Sequence, residues 1–142
     1  MFLELAFSSR ASPKLNEKDI LSIQSTSHQL NLKYDISGYL VLHKQKFVGI
    51  LVGDERVVRK LFSVISSDVR HSDLTLLAKE NTPWKQYENW NMIFHVGDSQ
   101  SATLPTEQLF KNNIIGLAQL TEKRTYTSRI YWKTVTELMD DV

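Results

Sequence analysis

The spacing of apolar residues most constrains the fold of this chain, because it changes twice from a strand period to a helix period in the N-terminal half. Leu3, Leu5 and Phe7 alternate with Glu4 and Ala6, which predicts a strand with one buried face. The same half contains two segments with apolar residues at helical spacing. Strands that alternate with amphipathic helices predict an α+β domain, in which the helices cover a sheet.

A polar loop from Ser8 to Pro13 is predicted to separate the first strand from the first helix. Asn16 is a suitable N-cap for that helix, and the helical spacing extends to about Gln29. Two β-branched, apolar segments follow, from Ile36 to His43 and from Phe47 to Val52. They predict a hairpin, although the short turn between them lacks the usual glycine.

A second helix is predicted to begin after Gly53, where Asp54 can cap it. Its apolar stripe consists of Val57, Val58, Leu61, Phe62 and Ile65. Further strands are predicted from Leu74 to Ala78 and from Trp90 to Val96. The resulting order, β-α-β-β-α-β-β, predicts a ferredoxin-like sheet with two helices on one face.

The C-terminal part is predicted to cover the other face of this sheet. A linker rich in small polar residues spans Gly97 to Pro105, Thr106 can cap a helix after it, and a polar turn from Thr121 to Ser128 precedes a final helix. The apolar positions are Leu109, Phe110, Ile114, Leu117 and Leu120 in the first of these helices and Ile130, Tyr131, Val135 and Leu138 in the second. We therefore divide the chain into a sheet domain, residues 1–97, and a helical extension, residues 98–142, that packs on it.

Composition and motifs exclude several classes of function. The 17 basic and 16 acidic residues nearly cancel, which gives no support for nucleic-acid binding. The chain has no cysteine, its four histidines lack the spacing of metal ligands, and no nucleophile–base pair can be assigned, so neither a metal site nor an enzyme is expected. No apolar run reaches the roughly 20 residues that span a bilayer, so we expect a cytoplasmic protein without a membrane partner.

Short motifs along the first two thirds of the chain follow the order of a known family. They are Ser8-Ser9-Arg10-Ala11 with Pro13, Asp19-Ile20, Asn31, Ile36-Ser37-Gly38, Asp68-Val69-Arg70-His71, and Tyr87 with Trp90-Asn91-Met92. With these motifs at family spacing, the chain resembles BLUF domains, the small flavin-based blue-light sensors of bacteria. The resemblance covers about the first 95 residues. It implies a ferredoxin-like fold, FAD as the cofactor and a role in signal transduction.

The chain departs from this family where the flavin chemistry takes place. In BLUF domains a tyrosine of the first strand donates an electron and a proton to the photoexcited flavin. A glutamine of the third strand bridges that tyrosine to the flavin ring. The corresponding residues here are Phe7 and Gly49, and Val52 replaces a family glutamate. Phenylalanine has no hydroxyl group and glycine has no side chain, so we expect the standard photocycle to be lost.

The resemblance assigns further flavin contacts to Ile23, Asn31, Asp68, Trp90 and Met92. Asn31 and Asp68 correspond to polar groups that hold the ring and the ribityl chain. Asn31 is equally compatible with a helix C-cap, and Asp68 with a turn at a helix end. Trp90 and Met92 are also compatible with a simpler role in the core of an edge strand.

Several polar groups that contact flavin in the family are therefore missing. Besides Phe7 and Gly49, Leu30 stands where a histidine or asparagine is usual, and Val64 stands where some members have an arginine near the phosphates. Each donor or acceptor of a buried flavin ring that is left unpaired costs on the order of 1–3 kcal/mol. Two or three such losses weaken binding by about 10² or more. We expect FAD binding to be weak or absent.

These observations predict a BLUF-like sensory or regulatory module that lacks the standard photocycle and acts on an unidentified signalling or transcriptional partner. One alternative is a photoactive receptor with altered photochemistry, in which Trp90 is the electron donor. Another is a flavin-independent module whose apolar helix surface binds a protein partner. The wide apolar stripe that includes Leu117 further predicts a homo-oligomer.

Overall fold

The computed structural model describes residues 1–83, 93–96 and 125–140, and this part of the chain contains five strands and three helices. In chain order they are β1 (Phe2–Ala11), α1 (Glu17–Tyr34), β2 (Ser37–His43), β3 (Lys46–Asp54), α2 (Glu55–Ser66), β4 (His71–Thr82), β5 (Ile93–Val96) and α3 (Tyr126–Asp140). None of the helices in these ranges combines the length and the hydropathy that a bilayer-spanning helix requires.

The strands form one sheet in the order β4-β1-β3-β2-β5. β1 pairs antiparallel with both β3 and β4, β2 pairs antiparallel with β3, and β5 runs parallel to β2. The first four strands, together with α1 and α2, have the ferredoxin-like arrangement that the sequence predicts. The predicted fold class is therefore confirmed.

β1 is longer than the sequence predicts. The segment from Ser8 to Ala11 continues the strand, so the prediction of a polar loop beginning at Ser8 is wrong. Ser8 lies opposite Val48 of β3 and Thr75 of β4, and both neighbours use the backbone of β1. Such pairing satisfies the backbone N–H and C=O groups of β1 whatever its side chains are. The polar side chains of this segment therefore gave no indication of a strand.

The predicted start of α1 is confirmed, but its predicted end is not. The side chain of Asn16 accepts a hydrogen bond from the Asp19 N–H at 2.9 Å, and the Asp19 side chain accepts one from the Asn16 N–H at 3.2 Å. The helix continues to Tyr34, and the left-handed residue that follows it is Asp35, with φ 54°. Asn31 therefore lies within the helix, and its alternative assignment as a C-cap is wrong.

Two local predictions in the following segment are confirmed. Lys44 and Gln45 form the hairpin turn with φ values of 51° and 60°, so both adopt the left-handed conformation of a type I′ turn without a glycine. Asp54 caps α2, because its side chain accepts hydrogen bonds from the N–H groups of Arg56 and Val57 at 3.1 and 3.3 Å.

Helices cover both faces of the sheet. α1 and α2 pack on the face that contains Leu3, Leu5, Phe7, Leu40, Phe47 and Leu51. α3 packs on the opposite face through Tyr131, Trp132 and Val135, against Ala6, Tyr39, Val41, Val48, Ile50 and Val52. The predicted final helix is thus confirmed, but it begins at Tyr126, so the prediction that the preceding turn extends to Ser128 is wrong. The predicted helix that begins at Thr106 and the linker before it lie outside the described residues.

Candidate functional site

The candidate site lies where the middle of β1 and β3 meets α1 and α2. Phe7 and Gly49 are partners across the β1–β3 pair. Phe7 is 4% exposed, and the centre of its ring lies 5.8 Å from that of Phe62 in α2. Ile23 of α1 belongs to the same buried cluster. The structure therefore brings together three of the predicted site residues: Phe7, Gly49 and Ile23.

The ring of Phe7 occupies the space that a side chain at Gly49 would need. A Cβ atom added to Gly49 would lie 2.6 Å from Cζ and 2.7 Å from Cε1 of Phe7, and 3.1 Å from Cδ1 of Leu40. The first two distances are shorter than carbon–carbon packing permits, so the Phe7 ring would have to move. The ring of Phe7 therefore fills the volume beside Gly49.

The described side chains that surround Phe7 are mainly apolar. The buried members of this cluster include Leu5, Ile23, Leu40, Phe47, Leu51 and Val58. Neither Phe7 nor Gly49 offers a hydroxyl or amide group toward the polar edge of a flavin ring. These two positions therefore offer a flavin ring no side-chain hydrogen bond.

Asp68 lies in the turn that follows α2, where Arg70 engages its carboxylate. Nε of Arg70 donates to Oδ1 and Oδ2 of Asp68 at 2.9 and 3.1 Å, Nη2 donates to Oδ2 at 2.5 Å, and the Arg70 N–H donates to Oδ1 at 2.9 Å. The side-chain hydrogen bond from Arg70 lowers the pKa of Asp68 below its ordinary value. This geometry favours the helix-end turn for Asp68, and a flavin contact there stays a prediction.

His71 connects three elements in a way that the sequence did not indicate. Its Nε2 lies 2.6 Å from the Ile65 carbonyl oxygen in α2, and its Nδ1 lies 2.7 Å from the Ser9 hydroxyl in β1. A carbonyl oxygen only accepts, so Nε2 carries a proton, and in the neutral imidazole Nδ1 then accepts from the Ser9 hydroxyl. Ser9 is buried. The Ser–His pair thus ties α2 to the sheet. Both residues belong to motifs named above, but no single motif spans the 62 positions between them, so the contact itself could not be predicted.

The remaining predicted contacts are not placed by these observations. Trp90 and Met92 lie outside the described residues, as do the side chains of Leu30 and Asn31. Val64 is 61% exposed on α2. Within the described ranges, no group of three or more potential metal-ligating side chains is found.

Sequence comparison identifies the family. The family profile for sensors of blue-light using FAD, BLUF, matches residues 2–93. The chain belongs to the BLUF family. The match confirms the assignment that the short motifs predict, and it means that this chain has the architecture of a sensory domain. A comparison with curated protein sequences gave no match.

The BLUF chain is similar to several solved structures. A bacterial light-regulated adenylyl cyclase aligns with a TM-score of 0.67 and 25% identity, over 94% of this chain and 40% of that one. BlrB, a BLUF protein in its dark state, aligns with a TM-score of 0.71 and 20% identity, over 96% of both chains. BlsA in its photo-activated state aligns with a TM-score of 0.67 and 22% identity, over 100% of this chain and 97% of that one. The similarity to BlrB and BlsA supports the fold alone, and this chain spans less than half of the cyclase.

Proposed function

We propose that this BLUF chain is a sensory or regulatory module that lacks the standard blue-light photocycle and binds FAD weakly or not at all. The observation that carries the proposal is the position of the Phe7 ring in the space beside Gly49. The photocycle requires a hydroxyl group at the first position and a mobile amide at the second. No rotation of the present side chains supplies either group.

Hydrogen-bonding losses set the expected affinity for FAD. Phe7 and Gly49 remove partners of the ring, and Leu30 and Val64 remove two more of the family's polar groups. Each unpaired group costs on the order of 1–3 kcal/mol when it is buried. We infer a dissociation constant in the micromolar range or weaker, which corresponds to a binding free energy of about −8 kcal/mol or less favourable.

Restoration of the two family residues tests this proposal. The double variant Phe7→Tyr with Gly49→Gln returns both hydrogen-bonding groups and should bind FAD at least about 10-fold more tightly than the wild type, since one regained hydrogen bond contributes roughly 1.4 kcal/mol. The measurement is a fluorescence or equilibrium-dialysis titration with FAD. Phe47→Tyr with Gly49→Gln is the matched control, because it adds the same groups but puts the hydroxyl elsewhere in the same buried cluster.

Two outcomes would contradict the proposal. A wild-type protein that purifies with one FAD per chain would show that packing and the retained polar residues are sufficient for tight binding. A double variant that binds FAD no better than the Phe47→Tyr control would show that the lost groups do not limit affinity.

We further propose that the module acts by contact with a signalling or transcriptional regulator and that it self-associates. Two similar proteins support a regulatory role: the part that resembles this chain is 40% of a light-regulated adenylyl cyclase and 35% of BlrP1, whose structure contains FMN and cyclic diGMP. In both, a BLUF-like region is joined to a much longer chain. The protein that this module regulates would then also be a signalling protein, as the light-regulated cyclase is.

A further inference from the structure

The sheet face opposite Phe7 holds a buried carboxylate that the proposed function does not use. Glu4 of β1 is 0% exposed and lies on the same face as Ala6 and Val52, which belong to the apolar cluster under α3. Its partner across the β1–β4 pair is Glu80, so the two acidic residues are neighbours on adjacent strands. A carboxylate at such a position requires hydrogen-bond partners or a proton.

Both carboxylates contact the first turn of α3. The Thr125 hydroxyl donates a hydrogen bond to Oε1 of Glu4, and the Thr127 N–H donates one to Oε1 of Glu80 at 2.7 Å. Oγ1 of Thr125 also accepts from the Ser128 N–H at 3.0 Å, as an N-cap does. The sheet therefore supplies hydrogen-bond acceptors to the N-terminal end of α3, where the first N–H groups have no acceptor within the helix itself.

The surroundings of Glu4 favour its neutral form. Its Oε2 is buried and has no hydrogen-bond partner within the described part of the chain. Burial raises the pKa of Glu4 from the ordinary 4.5 to about 7; the Thr125 hydrogen bond acts in the opposite direction and the charge of Glu80 adds to the increase. Among the described residues beside Glu4, Glu80 on β4 is charged, whereas Val52 on β3 and Thr125 and Thr127 around the start of α3 are not.

We propose that Glu4 is a proton-operated latch for α3, which docks firmly on the sheet when Glu4 is protonated and more weakly when Glu4 is ionised. When α3 leaves the sheet, Glu4 becomes exposed to water and regains its ordinary acidity. Release of the helix would also expose Tyr131, Trp132 and Val135, which form an apolar surface suited to a partner protein. The latch does not depend on flavin, so this proposal and the FAD titration succeed or fail separately.

The direction of the pH dependence follows from the two protonation states. Below about pH 4.5 Glu4 is protonated whether α3 is docked or not, and docking has its full stability. Between about pH 4.5 and 7 the docked state keeps the proton and the undocked state loses it, so docking weakens as the pH rises. The total change in the docking equilibrium is on the order of 100-fold. Above about pH 7 Glu4 is ionised in both states, and its contribution no longer changes.

Hydrogen exchange measured by mass spectrometry on the full chain tests the latch. Rates are compared at about pH 5.5 and pH 8 after correction for the intrinsic effect of pH on exchange. In the wild type, protection of the α3 amides should fall roughly 10-fold or more over this range, while protection of the α2 amides does not. Glu4→Gln keeps the acceptor for Thr125 and cannot ionise, so it should abolish the fall. Asp54→Asn makes the same change at the N-cap of α2 and should leave the α3 profile unchanged.

Three outcomes would overturn the proposal: a flat wild-type profile, an unchanged profile in Glu4→Gln, or an equal fall in α2. If Glu4→Gln does not fold, the carboxyl ¹³C shift of Glu4 in the wild type decides the matter. A midpoint near 7 supports the latch, and a midpoint near 4.5 contradicts it. Glu80→Gln keeps the acceptor for Thr127 but removes the neighbouring charge, so it should move this midpoint to lower pH.

Discussion

At the residue scale, Phe7 and Gly49 form one packing unit across the β1–β3 pair. The Phe7 ring fills the space beside the glycine, and it would collide with a larger side chain at that position of β3. Together the two residues form a closely packed contact between β1 and β3. A larger side chain at position 49 is therefore expected to be unfavourable unless the ring at position 7 moves or is removed.

A double-mutant cycle measures this dependence. Gly49→Ala should lower the free energy of unfolding by about 1–3 kcal/mol, because the new Cβ atom forces the Phe7 ring to move. In a Phe7→Ala background the ring is absent, and the same change should cost little. Urea unfolding of the four proteins gives the coupling energy. An equal cost of Gly49→Ala in both backgrounds would show that the two positions do not compete for space.

His71 provides a second residue-scale prediction. His71→Ala leaves the buried Ser9 hydroxyl without its His71 partner and removes one of the hydrogen bonds to the Ile65 carbonyl, which still accepts from the Asp68 N–H, so it should reduce stability by about 2 kcal/mol. Ser9→Ala removes one of the two hydrogen bonds and should cost less. The costs should also be less than additive in the double variant, since the two residues share a bond. Thermal or urea unfolding that finds Ser9→Ala and His71→Ala additive would contradict the shared connection.

At the scale of elements, the sequence predicted what depends on neighbours along the chain. The caps at Asn16 and Asp54 and the hairpin at Lys44-Gln45 are local, and all are confirmed. The burial of Glu4 was not predictable from its own strand, because the cover is a helix more than 120 residues later in the sequence. Similarly, the extension of β1 through Ser8 depends on two partner strands rather than on its own side chains.

The same distinction between predictable and unpredictable features applies to the candidate site. The resemblance to the family located Phe7, Ile23 and Gly49, because motif order fixes their place on β1, α1 and β3. It could not show that the Phe7 ring lies over Gly49, because that contact depends on how the two strands and the helices pack against one another. The contact between Asp68 and Arg70 depends on side-chain rotamers, which a motif does not specify.

The hairpin turn offers a prediction at this scale. Lys44 and Gln45 both adopt left-handed conformations, which cost side-chain-bearing residues roughly 1–2 kcal/mol each relative to glycine. Lys44→Asn with Gln45→Gly should therefore raise the free energy of unfolding by about 1 kcal/mol, measured by urea unfolding. Lys46→Gly is the control, because Lys46 lies in extended β3, where glycine is expected to destabilise. A stabilising control, or no gain at the turn, would contradict the explanation.

The attachment of α3 gives a further test. Trp132 is fully buried, with its ring centre 5.4 Å from that of Tyr39 and 4.9 Å from that of Tyr131. Trp132→Ala should lower the free energy of unfolding by about 3–5 kcal/mol. Lys133→Ala, at the exposed next position of the same helix, should change it by less than about 0.5 kcal/mol. Similar effects of the two substitutions would show that α3 does not pack as described.

At the scale of the whole molecule, the two faces of the sheet have different proposed roles. On the face under α1 and α2, the Phe7 ring fills the space beside Gly49. The opposite face holds α3 and the Glu4 latch. β1 contributes to both faces, since Glu4 and Phe7 lie on opposite sides of the same strand.

Self-association is the whole-molecule prediction that comes from the sequence alone. The apolar stripe that includes Leu117 is wider than one sheet face requires, and it lies outside the described residues. Leu117→Glu should lower the melting temperature or dissociate an oligomer, as measured by calorimetry and by size-exclusion chromatography with light scattering. A monomeric wild type whose melting temperature is unaffected by Leu117→Glu would contradict both forms of the prediction.

The most direct test of the central claim is a light-minus-dark absorption spectrum of the wild-type chain with saturating FAD. Without the hydroxyl at position 7 and the amide at position 49, we expect no reversible red shift of the bound flavin band under blue light, whether flavin binds weakly or not at all. The Phe7→Tyr, Gly49→Gln variant, measured in parallel, should gain the shift. A reversible red shift in the wild type would contradict the claim that this BLUF domain has lost the standard photocycle.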